Sequence, residues 1–308
     1  MYVPGFGPRL DYVHVAEALI SALVVSYNVR DLLVETLEAL YAGARRPVEA
    51  IVVDNASQDG SADAVERAYP QARLIRLEEN LGFGRANNAG LEACRGEMVL
   101  LLNPDVLLQP GCVDRMAEFL DANVGAGVVS PRLQRPDGRL DLAARRGFPA
   151  PAAALYRMFG LSRLFPRSPR FNRYNLGHLP ADQVQEIDSG SAACLLVRRA
   201  AIAKAGFFDP DYFMYGEDLD LCYRIKEAGW KVYYLPDAVA VHVKGASTRQ
   251  ATSRMLYEFH RAMWLFYRKH YARRRAAPLN ALTWCLIWSR WALLALRARV
   301  TRDPVVSP

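Results

Sequence analysis

The sequence predicts an α/β fold built on a doubly wound, mostly parallel sheet, with a helical extension at its C-terminal end. Three observations carry that expectation. Short apolar, β-branched runs alternate with segments of helical spacing over residues 20–133, the order that βαβ units impose. Three of these runs end in polar residues, Ser26-Tyr27-Asn28, Asp54-Asn55-Ala56-Ser57 and Asn103-Pro104-Asp105, at the strand ends where open α/β sheets bind ligands. The alternation stops near residue 140, and a Pro-, Arg- and aromatic-rich stretch follows at 146–184.

Residues 1–18 read as an extension, because the pattern starts at Ile20. ISALVVSYN is a buried strand, RDLLVETLEALYAG a helix closing on Gly43, and VEAIVVDNAS a second strand. GSADAVERAY is a helix, ARLIRLEE a third strand, GRANNAGLEAC a helix, EMVLLLNPD a fourth strand, GCVDRMAEFLDAN a helix and GAGVVSPRL a fifth strand. The weakly periodic residues 146–184 are expected to be a long, partly mobile excursion with a functional rather than a packing role. IDSGSAACLLVRR restores a strand and RAAIAKAG is a short helix. MYGEDLDLCYRIKEAGW is a loop and then a helix, KVYYLPDAVAVHVKG two more strands, and a helix runs from Ser253 to His270. This divides the chain into the extension, a main domain over 19–270 with halves 19–140 and 141–270, and a basic, amphipathic segment over 271–308.

The composition, 52% hydrophobic and 23% charged over 308 residues, is that of a globular chain with a sizeable core. The net charge of +7 is gathered at Arg145-Arg146, Arg163 to Arg173, Arg198-Arg199 and Arg268 to Arg275. Such a surface suits phosphorylated substrates or an anionic membrane; nucleic acid is a weaker match, because no aromatic platform motif accompanies the charge. The five cysteines form no CxxC pair and no signal peptide is visible, so a reducing, cytoplasmic setting is expected. LNALTWCLIWSRWALLAL, residues 279–296, is interrupted by Arg290 and places Trp284, Trp288 and Trp291 on one helical side between basic flanks. We expect a helix lying in a membrane interface, with a packing or dimer helix as the alternative and a true span as the third reading.

The polar strand ends carry the chemistry. Asn103 and Asp105 follow a buried strand and can face a hard cation and a diphosphate, or simply close a Pro-Asp turn. Asp54 sits at a strand end, where a carboxylate can bond a nucleobase or ribose, whereas Asp59 or Ser61 suits a helix cap. NLGFGRANNAG has Gly82 and Gly84 for close backbone approach, but it follows the third strand and lacks GxGxxG spacing, so it is no dinucleotide fingerprint. His242 ends a strand before Lys244 and Gly245; a lone histidine is more often structural. In YGED, Glu217 and Asp218 can serve a helix dipole, as can Asp220, which Arg224 can pair at i,i+4. Yet Gly216 with Tyr212, Phe213 and Tyr215 describes a pocket edge, where a carboxylate can act as general base.

Taken in order, VVSYN, VVDNASQDGS, NLGFGRANNAG, LLNPD, DSGSAACLLVRR, FDPDYFMYGEDLDLCYRIKEAGW and VHVKGAS resemble glycosyltransferase family two over residues 20–270, and in particular its rhamnosyltransferase-like branch of bacterial surface polysaccharide synthesis. The resemblance implies a GT-A fold with a nucleotide-sugar half and an acceptor half, a divalent metal (Mg²⁺ or Mn²⁺) and inversion at the anomeric carbon. It implies that Asp54 holds the base, that Asp105 binds the metal with help from His242, and that Asp218 is the catalytic base with Glu217 orienting the acceptor. Asn103 stands where many members have Asp. The donor site is then expected from Ser26, Tyr27, Asn28, Asp54, Asn55, Ser57, Asn80, Gly82, Gly84, Asn87, Asn103 and Asp105, and the acceptor site from Ser189, Gly190, Ser191 and Tyr215. The expected reaction is transfer of rhamnose from dTDP-rhamnose to a saccharide or lipid-linked saccharide, by a protein peripheral on the inner face of the cell membrane. Galactose or N-acetylglucosamine from a UDP-sugar is the alternative. A nucleotidyltransferase is disfavoured, since SYNVRDLL replaces the Gly-rich basic loop such an enzyme needs after its first strand.

Overall fold

The computed structural model describes residues 18–150, 153, 156, 160–243 and 252–301. Nearly all of the expected extension, along with Lys244, Gly245 and 302–308, therefore lies outside the described residues. β1 (Ile20–Ser26) is buried along its whole length, as a strand with no polar face must be when helices cover both sides of a sheet. It pairs in parallel with β2 (Val48–Asp54) and β4 (Met98–Leu102), and β3 (Arg73–Arg76) continues in parallel beyond β2. α1 (Arg30–Gly43), α2 (Ser61–Ala68), α3 (Phe83–Leu91) and α4 (Cys112–Ala122) connect this half. α1 turns Leu33, Leu37 and Leu40 into the core, the i, i+4, i+7 stripe its sequence spells.

The second half is mixed. β4 pairs antiparallel with β8 (Cys194–Arg198), β8 antiparallel with β6 (Ala126–Gln134), and β6 parallel with β9 (Lys231–His242). β5 (Val106–Leu108) and β7 (Gln185–Ile187) both pair antiparallel with β9. The fifth strand read from the sequence is thus no neighbour of the fourth, because β8, which comes later in the chain, lies between them. KVYYLPDAVAVH is one strand rather than two: β9 keeps its pairing to β6 on both sides of Pro236, with Leu235 opposite Pro131 and Val239 opposite Arg132. Residues 236–238 bulge out, which accommodates a proline that has no N–H for the ladder.

α5 (Arg199–Ala205) and α6 (Glu217–Glu227) follow β8. The described part of 146–184 is irregular apart from one helical turn, Leu161–Leu164, but it is anchored. The buried Arg145 guanidinium donates to the carbonyls of Leu179 and Pro180, and Gly147 N donates to Tyr174 O. The segment is therefore pinned to the sheet edge by hydrogen bonds, which sequence periodicity does not report.

α7 (Thr252–His270) and α8 (Ala277–Thr301) form an antiparallel hairpin. Tyr267 Oη donates to Asn280 Oδ1 at 2.7 Å, and Arg290 Nη1 lies 3.0 Å from His260 Nε2. Trp288 and Trp291 turn toward Tyr257 of α7, with ring centroids 5.5 and 6.1 Å away. So two of the three tryptophans expected to face lipid pack in part on protein. Much of α8 stays uncovered all the same: Ala277–Val300 is long and apolar enough to cross a membrane, and only 6% of its most apolar 18 residues are buried.

Candidate active site

Strand register assembles the first half of the site. Ser26 and Asp54 are direct partners at the ends of β1 and β2, and Asn103 and Asp105 lie in the turn between β4 and β5. Ser26 Oγ, Asp54 Oδ1 and Asn103 Oδ1 are all buried with no hydrogen-bond partner among the described residues, and the buried Asp105 Oδ1 has only a long contact to His242 Nε2, at 3.4 Å. An unsatisfied buried polar atom costs about 1–3 kcal/mol, and most such groups in native proteins are paired. Three unsatisfied oxygens and one weakly satisfied one at the carboxyl ends of neighbouring strands mark a place for a polar ligand.

Several other donor-side candidates brace the loops. Asn28 N donates to Ser57 Oγ at 3.0 Å, and Gln58 N to Asn28 Oδ1 at 2.7 Å. Asn28 and Ala56 take positive φ, 53° and 66°, so both turns are held in an uncommon shape beside half-buried Tyr27. Asn55 Nδ2 donates to Asn80 Oδ1 at 3.0 Å, while Leu81 N donates to Asn55 Oδ1 and Gly82 N to Asn80 Oδ1. The Asn87 amide bonds Phe83 O within α3. The close approach at Gly82 is to protein: a Cβ there would meet Phe213 O at 2.4 Å, and Phe83 N donates to that carbonyl. At Gly84 the neighbour is Tyr212 O. These glycines let α3 abut the loop that leads into Glu217 and Asp218.

β5–β9 pairing places His242 opposite Val106, next to Asp105. His242 Nε2 is 3.4 Å from Asp105 Oδ1 and its Nδ1 is 3.2 Å from Asp141 Oδ2. Burial opposes a charge on this imidazole, but the two carboxylates outweigh it and raise its pKa above the usual value. Among the described residues, no group of three or more His, Cys, Asp or Glu side chains is arranged to hold a metal ion by itself. The unpartnered oxygen of Asn103 and the carboxylate of Asp105 nevertheless have the hard-oxygen chemistry that Mg²⁺ or Mn²⁺ takes, if a ligand supplies the rest of the shell.

The acidic pair opens α6. Gly216 takes φ 77° as its N-cap, and Tyr215 before it φ 69°. Both carboxyls lie in the first turn, where the helix dipole favours them, and both residues are buried. Asp218 Oδ2 accepts from Arg146 Nη2 at 2.6 Å and from Ala192 N at 3.3 Å, and Oδ1 accepts from Leu219 N at 2.7 Å. Arg146 Nη2 also donates to Gly190 O, and its backbone N to Ser189 O. The Ser189-Gly190-Ser191 loop and Asp218 are thus gathered by one guanidinium. Burial opposes the Arg146 charge, but Asp218 outweighs it and holds the guanidinium protonated.

Glu217 differs. Burial, and then the negative charge of Asp218, push its pKa up to about 8, and its Oε2 is buried with no partner among the described residues. Tyr215 walls this corner, edge-on to Phe259 of α7 at 5.7 Å. Asp220 is occupied structurally: it pairs with Arg224 at 2.7 Å, as the i,i+4 spacing suggested, and also with His270 at 2.8 Å. Arg146 is the site residue that sequence reasoning missed. It read as half of a basic pair, and its partner lies 72 residues away, with no local signal to join them.

The sequence profile of the family described as "Glycosyltransferase like family 2" matches residues 17–260. The chain is 31% identical over 294 residues, 92% of each chain, to the N-acetylglucosaminyl-diphospho-decaprenol L-rhamnosyltransferase of Mycobacterium tuberculosis. It is 23% identical to the low-salt glycan biosynthesis hexosyltransferase of Haloferax volcanii, over 72% of this chain and 66% of that one. Among solved structures it is similar to a mannosyltransferase from Pyrobaculum calidifontis in complex with GDP-Man and Mn²⁺, with a TM-score of 0.57 at 19% identity over 92% of this chain and 76% of that one. It is similar also to S. aureus TarS 1–349 in complex with UDP-GlcNAc, with a TM-score of 0.57 at 18% identity over 88% and 72%. The order of strands, the acidic strand ends and these likenesses agree: the chain has a GT-A fold and belongs to glycosyltransferase family 2, as a glycosyltransferase of its rhamnosyltransferase-like branch.

Proposed function

We propose that the protein transfers rhamnose from dTDP-rhamnose to a lipid-diphosphate-linked saccharide, with inversion at the anomeric carbon. The observation that carries this reading is the end-to-end similarity to a rhamnosyltransferase whose name specifies a diphospho-decaprenol acceptor. The unpartnered strand-end oxygens support it, because they offer a polar donor what it needs.

In this reading Asp54 Oδ1 accepts from the nucleobase or ribose, while the braced turns at 26–28 and 54–58 keep that carboxylate fixed. Asp105, with Asn103 and His242, holds a divalent cation, Mg²⁺ or Mn²⁺. Bound there, the cation supplies charge neutralisation for the departing diphosphate. Asp218 accepts the proton of the acceptor hydroxyl as its oxygen bonds the anomeric carbon and the bond from that carbon to the diphosphate oxygen breaks. One displacement inverts the centre, so no enzyme nucleophile is required. Glu217, protonated at neutral pH by its raised pKa, can donate a hydrogen bond that positions the acceptor. Ser189, Gly190, Ser191 and Tyr215 line the acceptor side. The exposed face of α8 rests on the inner leaflet, where a lipid-linked acceptor is found.

The test is release of nucleoside diphosphate by the full-length protein with Mn²⁺ and a lipid-linked saccharide, comparing dTDP-rhamnose, UDP-N-acetylglucosamine, UDP-galactose and GDP-mannose. Release from dTDP-rhamnose in large preference is the expected result. Preference for a UDP-sugar overturns the rhamnose assignment, and release from none overturns the reading as a whole.

A further inference from the structure

We propose that the α7–α8 hairpin is the binding site for the isoprenoid-diphosphate end of the acceptor, with the apolar chain in an aromatic cleft between the helices and the diphosphate at Arg268. The inference rests on the reading above that the acceptor is lipid-linked. A cleft of about 390 Å³ is lined by Tyr257, Trp264, Trp284 and Trp288 together with Arg261 and Arg268, a size within the range of small-molecule sites. A second depression, of about 550 Å³, is lined by Arg268, Lys269, Ala272 and Arg273. Arg268 borders both. An aromatic trough that runs into a cationic depression matches an amphiphile with an anionic head, because each part meets the surface that compensates its loss of water. A bare phosphate would leave the aromatic wall unused. Arg261 is already paired with Glu258, and Lys269 with Asp209 and Asp211, but Arg268 and Arg273 have no carboxylate within ion-pair distance among the described residues, and a neutral lipid would leave those two without a counter-charge.

Two further observations favour this occupant. Trp288 Nε1 is buried with no acceptor among the described residues, and an indole N–H in an aromatic wall ordinarily finds one; a phosphate or sugar oxygen of the ligand supplies it. The cleft is also continuous with the catalytic loop. Asp211 lines it, and Arg261 Nη1 donates to the Asp211 carbonyl at 2.9 Å. Nearby, Arg254 lies over the Phe213 ring at 4.2 Å. The loop that borders the cleft at Asp211 reaches Glu217 and Asp218 within seven residues. A sugar attached to a diphosphate held at this edge is therefore delivered on the side of the acidic pair. The exposed Leu282, Leu293 and Leu296 of α8 leave the remainder of a long isoprenoid in contact with apolar surface.

The experiment uses full-length protein and farnesyl diphosphate as a short, soluble probe, followed by quenching of tryptophan fluorescence. Farnesol and inorganic pyrophosphate are the comparison ligands, and vesicles of phosphatidylglycerol test for a general anionic surface. Expected is binding of farnesyl diphosphate about tenfold tighter than either half alone. Arg268→Gln should remove about tenfold of that affinity, the scale of one charge-assisted hydrogen bond. Trp288→Phe should weaken it while both variants keep the wild-type melting temperature. Equal binding of pyrophosphate reduces the site to a plain anion site, and full displacement by phosphatidylglycerol vesicles reduces it to a membrane surface. Either result, or wild-type affinity in Arg268→Gln, overturns the proposal. Nucleoside diphosphate release by the same protein preparations, in the donor assay with a lipid-linked saccharide described above, separates the two readings: its absence refutes the donor assignment, whereas the binding results bear on the cleft alone.

Discussion

Arg146 Nη2 lies 2.6 Å from Asp218 Oδ2, with the two side chains only 13% and 12% exposed. The same nitrogen donates to Gly190 O, so one guanidinium sets both the carboxylate and the loop beside it. Removing one partner of such a buried pair leaves the other charge uncompensated, which costs about 3–5 kcal/mol. We expect Arg146→Gln to lower the midpoint of urea unfolding markedly. Asp218→Asn added to it should recover much of the stability, since the stranded charge is gone, yet leave turnover abolished. If the double variant is no more stable than Arg146→Gln, the pair is not the coupled unit that its geometry describes.

Asp218→Asn should reduce turnover more than Glu217→Gln. The amide keeps the size of the carboxylate and its one oxygen can still accept from either Ala192 N or Leu219 N, though not from both, but it takes no proton. Loss of a general base lowers the rate by about 10²- to 10⁴-fold. Glu217→Gln should act chiefly on the KM for acceptor, as loss of a positioning contact does. Steady-state kinetics on both variants, with donor affinity from calorimetry, decides this. A larger loss of kcat in Glu217→Gln would reverse the two roles.

The raised pKa of Glu217 has a consequence for stability. Folded, the group titrates at about 8; its ordinary value is 4.5. Between these values the native state binds the proton that the unfolded chain releases, so stability falls as pH rises. Below about pH 4.5 the group contributes no such loss. Glu217→Gln cannot ionise and escapes the penalty. Its melting temperature should therefore exceed that of the wild type at pH 8 and approach it near pH 5. Scanning calorimetry across that range tests the sign; a variant less stable at pH 8 than at pH 5, relative to wild type, contradicts it.

The parallel half of the fold was legible because β1, β2 and β4 are buried on both faces and so are written as unbroken apolar runs. The polar strand ends were legible for the same reason, since a carboxylate such as Asp54 directly after such a run has no packing role. The mixed half was not. Whether β8 inserts beside β4 depends on pairing across about 95 residues of chain, which no local pattern encodes. Loop bracing was equally hidden. Asn55 and Asn80 bond each other across 25 residues, a contact that no local pattern announces. The hydrogen bonds that hold 146–184 come from Arg145 and from backbone groups, and neither leaves a periodic trace.

The metal assignment can be tested without turnover. His242 stands 3.4 Å from Asp105; its burial lowers its pKa, but the carboxylates of Asp105 and Asp141 raise it by more. A divalent cation at Asp105 would take up the same negative charge, and the neutral imidazole could then lend it a lone pair. Anything that binds the native state alone raises its melting temperature by mass action. We expect dTDP alone to give a modest rise through Asp54, and dTDP with Mn²⁺ a much larger one. In Asp105→Ala the first rise should persist and the Mn²⁺-dependent increment should vanish. His242→Gln should shrink that increment without removing it, because Asp105 and the diphosphate would still hold the ion. If Asp105→Ala retains the full increment, the cation is bound elsewhere, and the side-chain oxygens of Asn103 and Asp105 belong to the sugar or the phosphates instead.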